Sequence, residues 1–312
     1  MANITAKDVA ALRAKTGIGM MECKKALVEA NGDVEEAIKI LRKRGELKAE
    51  SKAATRIAAD GIVDIMKEGN VTAMIEVNSE TDFVAKNASF QEFVKNLLKT
   101  IIATKPADID ALLASTYVDG SATVEAKLKE MIFVIGEKLS IRRFVIVEGV
   151  TSTYIHGAGT TGVIVKFIVD EALVGNAGFA EMAKNVALQI AAGSPPTYVA
   201  KSDVPQKAID EEMAIQVTAA KNDPKLASKP DAVIEKIVAG KLDKLFFEKV
   251  CLLEQGYVKD DSMSVGKYID TTAKALGGSI KVDSFYIFEK GEGIQKREED
   301  FAAEISKMVN GQ

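Results

Sequence analysis

A glycine-rich loop in the middle of the chain is the first segment whose residue types could do chemistry. Gly157-Ala158-Gly159-Thr160-Thr161-Gly162 has the G-x-G-x-x-G spacing of dinucleotide-binding folds. That spacing binds a pyrophosphate only where a helix follows the loop, because N–H groups of the first helical turn bind the phosphates. Here the loop runs into Val163–Val169, which is typical of a β-strand. We therefore predict a turn between two strands, and a dinucleotide-binding enzyme is the weakest functional alternative.

Side chains for metal or nucleophilic chemistry are scarce. The chain has one histidine, His156, and two cysteines, Cys23 and Cys251, too few for a four-ligand Cys/His zinc site, a disulfide framework or a histidine-based triad. No G-x-x-x-x-G-K-[ST] sequence occurs, and no carboxylate is tied by its spacing to a nucleophile or a base. We expect no metal, no cofactor and no enzymatic activity. From its position at a strand end, His156 is expected to be partly buried and hydrogen-bonded.

A short segment, Thr81-Asp82-Phe83-Val84, is the remaining candidate, and it lies at a predicted turn from a strand to a helix. Phe83 either packs into a small apolar cluster of its own fold or stands exposed as an aromatic anchor for another protein. Aromatic residues of the second kind dominate the hot spots of protein–protein interfaces. The residues alone leave both interpretations open.

Composition limits the class of protein. Of 312 residues 47% are hydrophobic, so the chain can bury a sizeable core and is not disordered as a whole. The net charge of −4 argues against a protein built mainly to bind nucleic acid. No apolar run approaches the roughly 18 residues of a membrane span, and residues 1–15 lack the apolar stretch of a signal peptide. We expect a cytoplasmic protein without membrane contact.

Three helical patterns fill the first 45 residues. Thr5 begins the first, the second covers Met20–Ala30, and Asp33 begins a third that we expect Gly45 to end. So short a bundle has a thin core, and its outer face suits a docking surface. The residues that follow, 42–56, form either a nucleic-acid patch or a solvated linker. The linker is favoured, because no aromatic residue that could stack on a base precedes Phe83.

An internal repeat organises the rest of the chain. Two strands, two helices and two closing strands match in their apolar positions, at offsets of 92, 89 and 141 residues: Val71–Val77 with Val163–Val169, Ser89–Ile101 with Gly178–Ile190, and Ile141–Glu148 with Val282–Glu289. The unequal offsets place three extra residues in the first copy, within Asn78–Asn87, and 52 extra residues in the second, at roughly 199–250. Because the second copy lacks Asp82-Phe83, the fold does not require that pair.

The longer insertion contains two helical patterns, Gln206–Lys221 and Ala232–Val250, that predict an antiparallel helical hairpin. Its second helix is more apolar than one partner helix needs, which leaves self-association through the hairpin open. A last amphipathic helix follows Gly291–Gly293, and it either docks on the core or forms a detachable arm. Its apolar side comprises Phe301, Ala302, Ile305, Met308 and Val309.

The predicted fold class is α+β with antiparallel sheets. The predicted domains are residues 1–54 (three-helix bundle and linker), 55–149 (first half of the core), 150–292 (second half, with the hairpin inserted at about 204–250) and 293–312 (a C-terminal helical module).

Two motifs in this order resemble those of the bacterial translation elongation factor Ts family. The first is Leu12-Arg13 with Thr16-Gly17-Ile18-Gly19-Met20-Met21-Glu22-Cys23-Lys24-Lys25-Ala26-Leu27, and the second is Thr81-Asp82-Phe83-Val84-Ala85-Lys86. The similarity continues through Ile141-Arg142-Arg143, His156-Gly157, the hairpin and Gly291–Phe301. The loop after His156, Ala158-Gly159-Thr160-Thr161, departs from the family pattern.

The resemblance implies a guanine-nucleotide exchange factor for elongation factor Tu, with a ubiquitin-associated-like (UBA-like) bundle and a coiled-coil hairpin. It implies that Thr81, Asp82, Phe83 and Val84 disturb the nucleotide and Mg²⁺ site of the partner's GTPase domain. It further implies partner contacts, in the GTPase domain and beyond it, by the residues Arg13, Met20, Met21, His156 and 294–312. A scaffold that binds the GTPase without exchanging its nucleotide is the main alternative.

Overall fold

A computed structural model of the chain describes residues 4–192, 194–224, 226 and 229–295, without the side chains of residues 46–55 and 245. The chain forms two compact units. Unit 1 comprises the residues up to Met66, Ile75–Phe144 and the residues from Glu289 onward, and unit 2 comprises Lys67–Met74 and Val145–Phe288. No helix in these described ranges is both long and apolar enough to cross a membrane.

The first part of the chain alternates between helices and strands. Its elements are α1 (Ala6–Thr16), α2 (Met20–Glu29), α3 (Val34–Thr55), β1 (Asp60–Glu68), β2 (Val71–Ser79), α4 (Asp82–Ala85), α5 (Ala88–Thr104), α6 (Ile109–Ala114), α7 (Val124–Ile135) and β3 (Ser140–Glu148).

The second part of the chain has the same mixture. Its elements are β4 (Val150–His156), β5 (Thr161–Val169), α8 (Ala177–Ala192), α9 (Gln206–Asn222), α10 (Asp231–Leu242), α11 (Glu248–Val250), β6 (Gly256–Tyr257), β7 (Asp260–Ser264), α12 (Val265–Leu276) and β8 (Ile280–Glu289).

Helices α1, α2 and α3 begin where the sequence predicts. The Thr5 hydroxyl accepts a hydrogen bond from the Asp8 N–H while the Asp8 carboxylate accepts one from the Thr5 N–H, so the capping box is confirmed. Asp33 caps α3 through the N–H of Glu36, at 3.0 Å. The three helices bury a small common core of Val9, Leu12, Ile18, Cys23, Ala26, Leu27, Ala37 and Leu41.

The expected end of the third helix at Gly45 is wrong, because α3 continues to Thr55. Gly45 instead lies where α3 packs against α7. A Cβ atom at this position would lie 3.2 Å from Cβ of Phe133, a contact so tight that Phe133 would have to shift to admit it. The helix gains enough from packing on α7 to pass through a residue of low helical propensity. Residues 46–55, predicted as part of a linker, are therefore helical.

Two three-stranded sheets share one arrangement. The first has the order β1-β2-β3 and the second β4-β5-β8, so in each a hairpin is completed by a later strand beside its second member. Strands β4 and β5 are antiparallel, with Val150 opposite Phe167 and His156 opposite Thr161. Every residue of β2 is buried. The fold is thus α+β with antiparallel sheets, as predicted.

Helices α5 and α8 follow the central strands and bury the apolar faces that the repeat matched. The faces are Phe90, Phe93, Val94, Leu97 and Ile101 on α5, and Phe179, Met182, Ala183, Val186 and Ile190 on α8. In unit 2, α8 and α12 share one core with β5, in which the rings of Phe167 and Phe179 meet edge to face at 5.6 Å.

Helices α9 and α10 occupy the predicted insertion and pack against each other. Ile234, Val238 and Leu242 are buried on α10, whereas α9 has no fully buried residue. The second helical pattern, predicted over Ala232–Val250, contains a π-helical turn at Asp243–Phe247.

Candidate protein-interaction site

The ring of Phe83 is the most exposed large apolar side chain among the described residues, at 77% of its surface. It lies on α4, a helix of four residues between β2 and α5. Val84, the next residue, is buried and attaches the helix to unit 1. Phe83 is therefore not packed in an apolar cluster of its own fold, and the interpretation as an exposed aromatic residue fits the structure.

Backbone and side-chain hydrogen bonds hold the short helix at both ends. The Ser79 hydroxyl donates to the carbonyl oxygen of Thr81 at 2.8 Å. At the other end, Gln91 Nε2 donates to the Ala85 carbonyl at 2.9 Å, and the Asn87 side chain caps the following helix through the N–H of Ser89. A ring carried on such a fixed segment loses little conformational entropy when it binds.

Asp82 is exposed and pairs with Lys86 within the same segment, Oδ2 to Nζ at 3.1 Å. The ammonium group of Lys86 also lies 5.8 Å from the centre of the Phe83 ring. Both residues are more than half exposed, so the ion pair contributes little to stability. Asp82 can thus exchange this partner for a cationic group or N–H donor of another protein at small cost.

Glu137 is a residue of this site that the sequence did not suggest. It follows α7, and its carboxylate accepts hydrogen bonds from the backbone N–H of Thr81 at 3.0 Å and from the Thr81 hydroxyl at 2.7 Å. The two residues are 56 positions apart. No spacing rule links a carboxylate to a threonine over that distance, so no signal in the sequence could have found it.

The bundle carries a second exposed group in unit 1. Met20 and Met21, the first residues of α2, are 40% and 65% exposed, and Arg13 on α1 is exposed as well. Methionine is flexible and polarisable, so it adapts to the surface of a partner. Helix α2 begins at Met20 because Gly17, with φ of 68°, turns the chain after α1.

A groove of about 640 Å³ lies on unit 1 between the turn after α1 and the start of α5. On one side it is lined by Thr16 and Gly17, at the turn before α2, and on the other by Ala88 and Ser89, at the start of α5. Neither Met20 nor Met21 lines this groove, and no residue of Thr81–Val84 does.

His156 belongs to unit 2 and is exposed, so its expected partial burial is wrong. It is the last residue of β4, opposite Thr161 at the turn end of the hairpin, directly before the glycine loop. Its Nδ1 lies 3.3 Å from the Tyr154 hydroxyl, so the expected hydrogen bond is present.

The glycine loop joins β4 to β5, which confirms the predicted turn between strands. Its backbone has positive φ at Gly157, Ala158 and Gly159, a sequence of conformations that glycine makes accessible. A strand follows it, so no helix N-terminus is available to bind a pyrophosphate here.

The predicted C-terminal helix lies outside the described residues, as do its apolar positions Phe301, Ala302, Ile305, Met308 and Val309. Of the segment 294–312, only Ile294 and Gln295 are described.

Thr81–Val84 and the residues Arg13, Met20 and Met21 all belong to unit 1, whereas His156 belongs to unit 2. Exposed apolar groups on fixed segments, beside ion pairs that can be exchanged, suit the binding of another protein.

Comparison with known proteins gives one consistent result. The family model described as Elongation factor TS matches residues 80–292. The chain is 42% identical over 309 residues to Elongation factor Ts of Syntrophotalea carbinolica, which covers 98% of this chain and 99% of the relative. It is 45% identical over 313 residues to Elongation factor Ts of Clostridioides difficile, with 99% and 100% covered. The relative from Trichlorobacter lovleyi, also named Elongation factor Ts, is 44% identical over 310 residues, with 97% of both chains covered. The chain belongs to the elongation factor Ts family.

Proposed function

We propose that the protein is a guanine-nucleotide exchange factor, which binds elongation factor Tu in its GDP form and promotes GDP release during translation elongation. Membership of the family over nearly the whole chain supports this activity. The observation that carries the mechanism is the exposure of Phe83, at 77%, on a segment that is otherwise held in place.

Exchange of this kind is thermodynamic coupling. The factor binds the nucleotide-free GTPase more tightly than the loaded form, and nucleotide and factor weaken each other's binding by the same free energy. Loosening GDP by about 10⁴-fold takes about 5.5 kcal/mol of differential affinity. One buried aromatic hot spot supplies roughly 2–4 kcal/mol, so several contact regions are needed.

In the proposed mechanism, Asp82 and Phe83 insert into the GTPase domain of the partner, and Thr81 and Val84 set the shape of the segment. The insertion displaces elements that hold the magnesium ion of the partner. Loss of that cation leaves the phosphate charge less compensated, and GDP dissociates.

The other contacts would provide the remaining binding energy. Arg13, Met20 and Met21 would bind the GTPase domain, His156 would contact the partner from unit 2, and residues 294–312 would clasp it. We also propose that the bundle is UBA-like, that the hairpin of α9 and α10 is a coiled coil, and that the protein acts in the cytoplasm.

Release of a fluorescent GDP analogue from elongation factor Tu, followed by stopped flow, tests the proposed function. We expect the rate to rise by orders of magnitude when the protein is added. Chelation of magnesium should speed the basal release and shrink the stimulation, because both act on the same ion. A protein that binds elongation factor Tu but leaves the release rate unchanged would be a scaffold, and the exchange assignment would then be wrong.

A further inference from the structure

We propose that Glu137 is a positioning residue for nucleotide exchange, because its carboxylate holds Thr81 and thereby fixes the direction in which the Phe83 ring leaves the surface. This inference rests on the proposed function, since Phe83 is the group that is positioned.

The contact between Glu137 and Thr81 uses both carboxylate oxygens. Oε2 accepts from the Thr81 N–H at 3.0 Å, and Oε1 accepts from its hydroxyl at 2.7 Å. Both bonds are charge-assisted, and the second has the short length of a strong O–H···O⁻ bond. With the Thr81 carbonyl held by Ser79, the N–H, the hydroxyl and the carbonyl of Thr81 all have partners.

A reciprocal bond ties the same two segments together. Glu80 Oε1 accepts a hydrogen bond from the backbone N–H of Lys138, and Glu80 Oε2 lies 3.0 Å from Nη1 of Arg56. Residues 80–81 are thus joined to 137–138 by bonds in both directions. These hydrogen bonds lie outside the apolar core, so they fix the direction of residues 80–81 where apolar packing does not.

Helix α4 depends on such bonds for its direction. It has four residues, fewer than an isolated helix needs to form, and no side chain caps its N-terminus. Val84 is buried and fixes the depth of the helix, and Gln91 holds its C-terminal end through Ala85, so the contacts of Thr81 are what hold its N-terminal end. Thr81 directly precedes the helix, so the residue that fixes Thr81 also fixes the start of the helix and the ring two residues later.

The sequence contains no tryptophan, which allows a direct test of ring orientation. With Phe83→Trp, the single indole reports the mobility of the segment through time-resolved fluorescence anisotropy of the free protein. We expect the amplitude of the fast, sub-nanosecond decay to increase at least twofold when Glu137→Ala or Thr81→Val is added. The double variant with Glu137→Ala and Thr81→Val should show no larger increase than Glu137→Ala alone. The hydrogen bond that Thr81→Val removes is one of the two that Glu137→Ala removes.

Exchange is measured separately, in proteins that keep Phe83. We expect Glu137→Ala to slow stimulated GDP release about tenfold and Thr81→Val about threefold, because the disordered segment must be ordered during insertion. Glu137→Gln should restore the rate to within about twofold, since the amide oxygen accepts the N–H bond and the amide nitrogen donates to the hydroxyl oxygen. Glu125→Ala, an exposed α7 carboxylate that pairs with Lys129, is the matched control and should change neither readout.

The outcomes separate the inference from the function on which it rests. Unchanged anisotropy in both Glu137→Ala and Thr81→Val would overturn the positioning role, even if the wild-type protein exchanges nucleotide. Increased mobility with an undiminished exchange rate would also overturn it. If the wild-type protein does not stimulate release at all, the proposed function fails, and the exchange role of Glu137 fails with it. Should Glu137→Ala not fold, Thr81→Val and Glu137→Gln still decide both readouts.

Discussion

Phe83 and Val84 are neighbours on one short helix, yet the ring of Phe83 is 77% exposed while Val84 is 5% exposed. A folded protein has no stability reason to present an aromatic ring in this way beside a buried valine. The pair therefore separates two roles along the chain, since Val84 attaches the segment and Phe83 remains available to a partner.

Phe83→Ala should leave folding unchanged and slow stimulated GDP release by about 30-fold to 800-fold, the equivalent of the roughly 2–4 kcal/mol of an aromatic hot spot. The ring makes few contacts within the protein, so its loss costs little stability. Stopped-flow release and thermal unfolding measure the two effects. Val84→Ala is the contrasting variant for stability. It removes two buried methyl groups and should lower the free energy of unfolding by about 1.6 kcal/mol. An undiminished release rate in Phe83→Ala would remove Phe83 from the mechanism.

Met21→Ala should weaken binding of elongation factor Tu without lowering the maximal rate of GDP release. Met21 is 65% exposed on α2 and takes no part in the proposed insertion of Phe83, so we expect it to contribute affinity only. We expect the half-saturating concentration to rise about threefold to tenfold, as for an interface residue below hot-spot strength. Val174→Ala, which truncates a 45% exposed residue of unit 2, is the control. A fall in the maximal rate at saturation would show instead that Met21 takes part in the exchange step.

Local features of the fold were predictable because they depend on nearby residues. Thr5 and Asp8 are three positions apart and form the predicted capping box, and the apolar face of α5 follows from helical periodicity. Phe83 could be chosen as a candidate, but its exposure could not be decided. That decision depends on what surrounds the segment in three dimensions, as does the carboxylate of Glu137.

The two wrong expectations have the same physical origin. Gly45 was expected to end a helix by a local rule, whereas the contact with Phe133 of α7 explains why it is glycine. The place of His156 at a strand end suggests burial, yet this strand ends at the exposed turn of a hairpin. In both places a distant or absent neighbour, rather than the adjacent sequence, sets the environment.

Gly45→Ala should lower the melting temperature, although alanine normally stabilises a helix relative to glycine by about 1 kcal/mol. The added Cβ would lie 3.2 Å from Cβ and Cγ of Phe133, atoms close to the α7 backbone that cannot move without the helix. Gly240→Ala on α10 is the matched control, since no atom lies within 4 Å of its Cβ position, and it should raise the melting temperature. Equal stabilisation by both substitutions would show that α3 and α7 are not in close contact at Gly45.

Glu76 should give unit 1 a stability that depends on pH. Its side chain is fully buried, and burial alone raises its pKa, but the Gly291 N–H and the side chains of Asn78, Arg142 and Arg143 together lower the pKa below the ordinary value of 4.5. The two arginines lie 3.0 Å and 2.6 Å from its carboxylate oxygens. Because the folded pKa is lower than the unfolded one, this stabilisation is complete above the unfolded value. It is lost as the pH falls from 4.5 through the folded pKa.

Glu76→Gln tests that dependence. At pH 7 we expect it to reduce the free energy of unfolding by about 2–3 kcal/mol, less than for fully buried ion pairs because the arginines are partly exposed. At pH 3.5 the difference between Glu76→Gln and the wild-type protein should shrink, because the unfolded wild-type protein then binds a proton at Glu76, which lowers its free energy of unfolding. Denaturant unfolding at both pH values measures it, and Glu292→Gln, an exposed partner of Arg143, should show no such convergence. A difference of equal size at both pH values would mean that packing, and not the charge of Glu76, holds the β2 and β3 strands to the turn at Gly291.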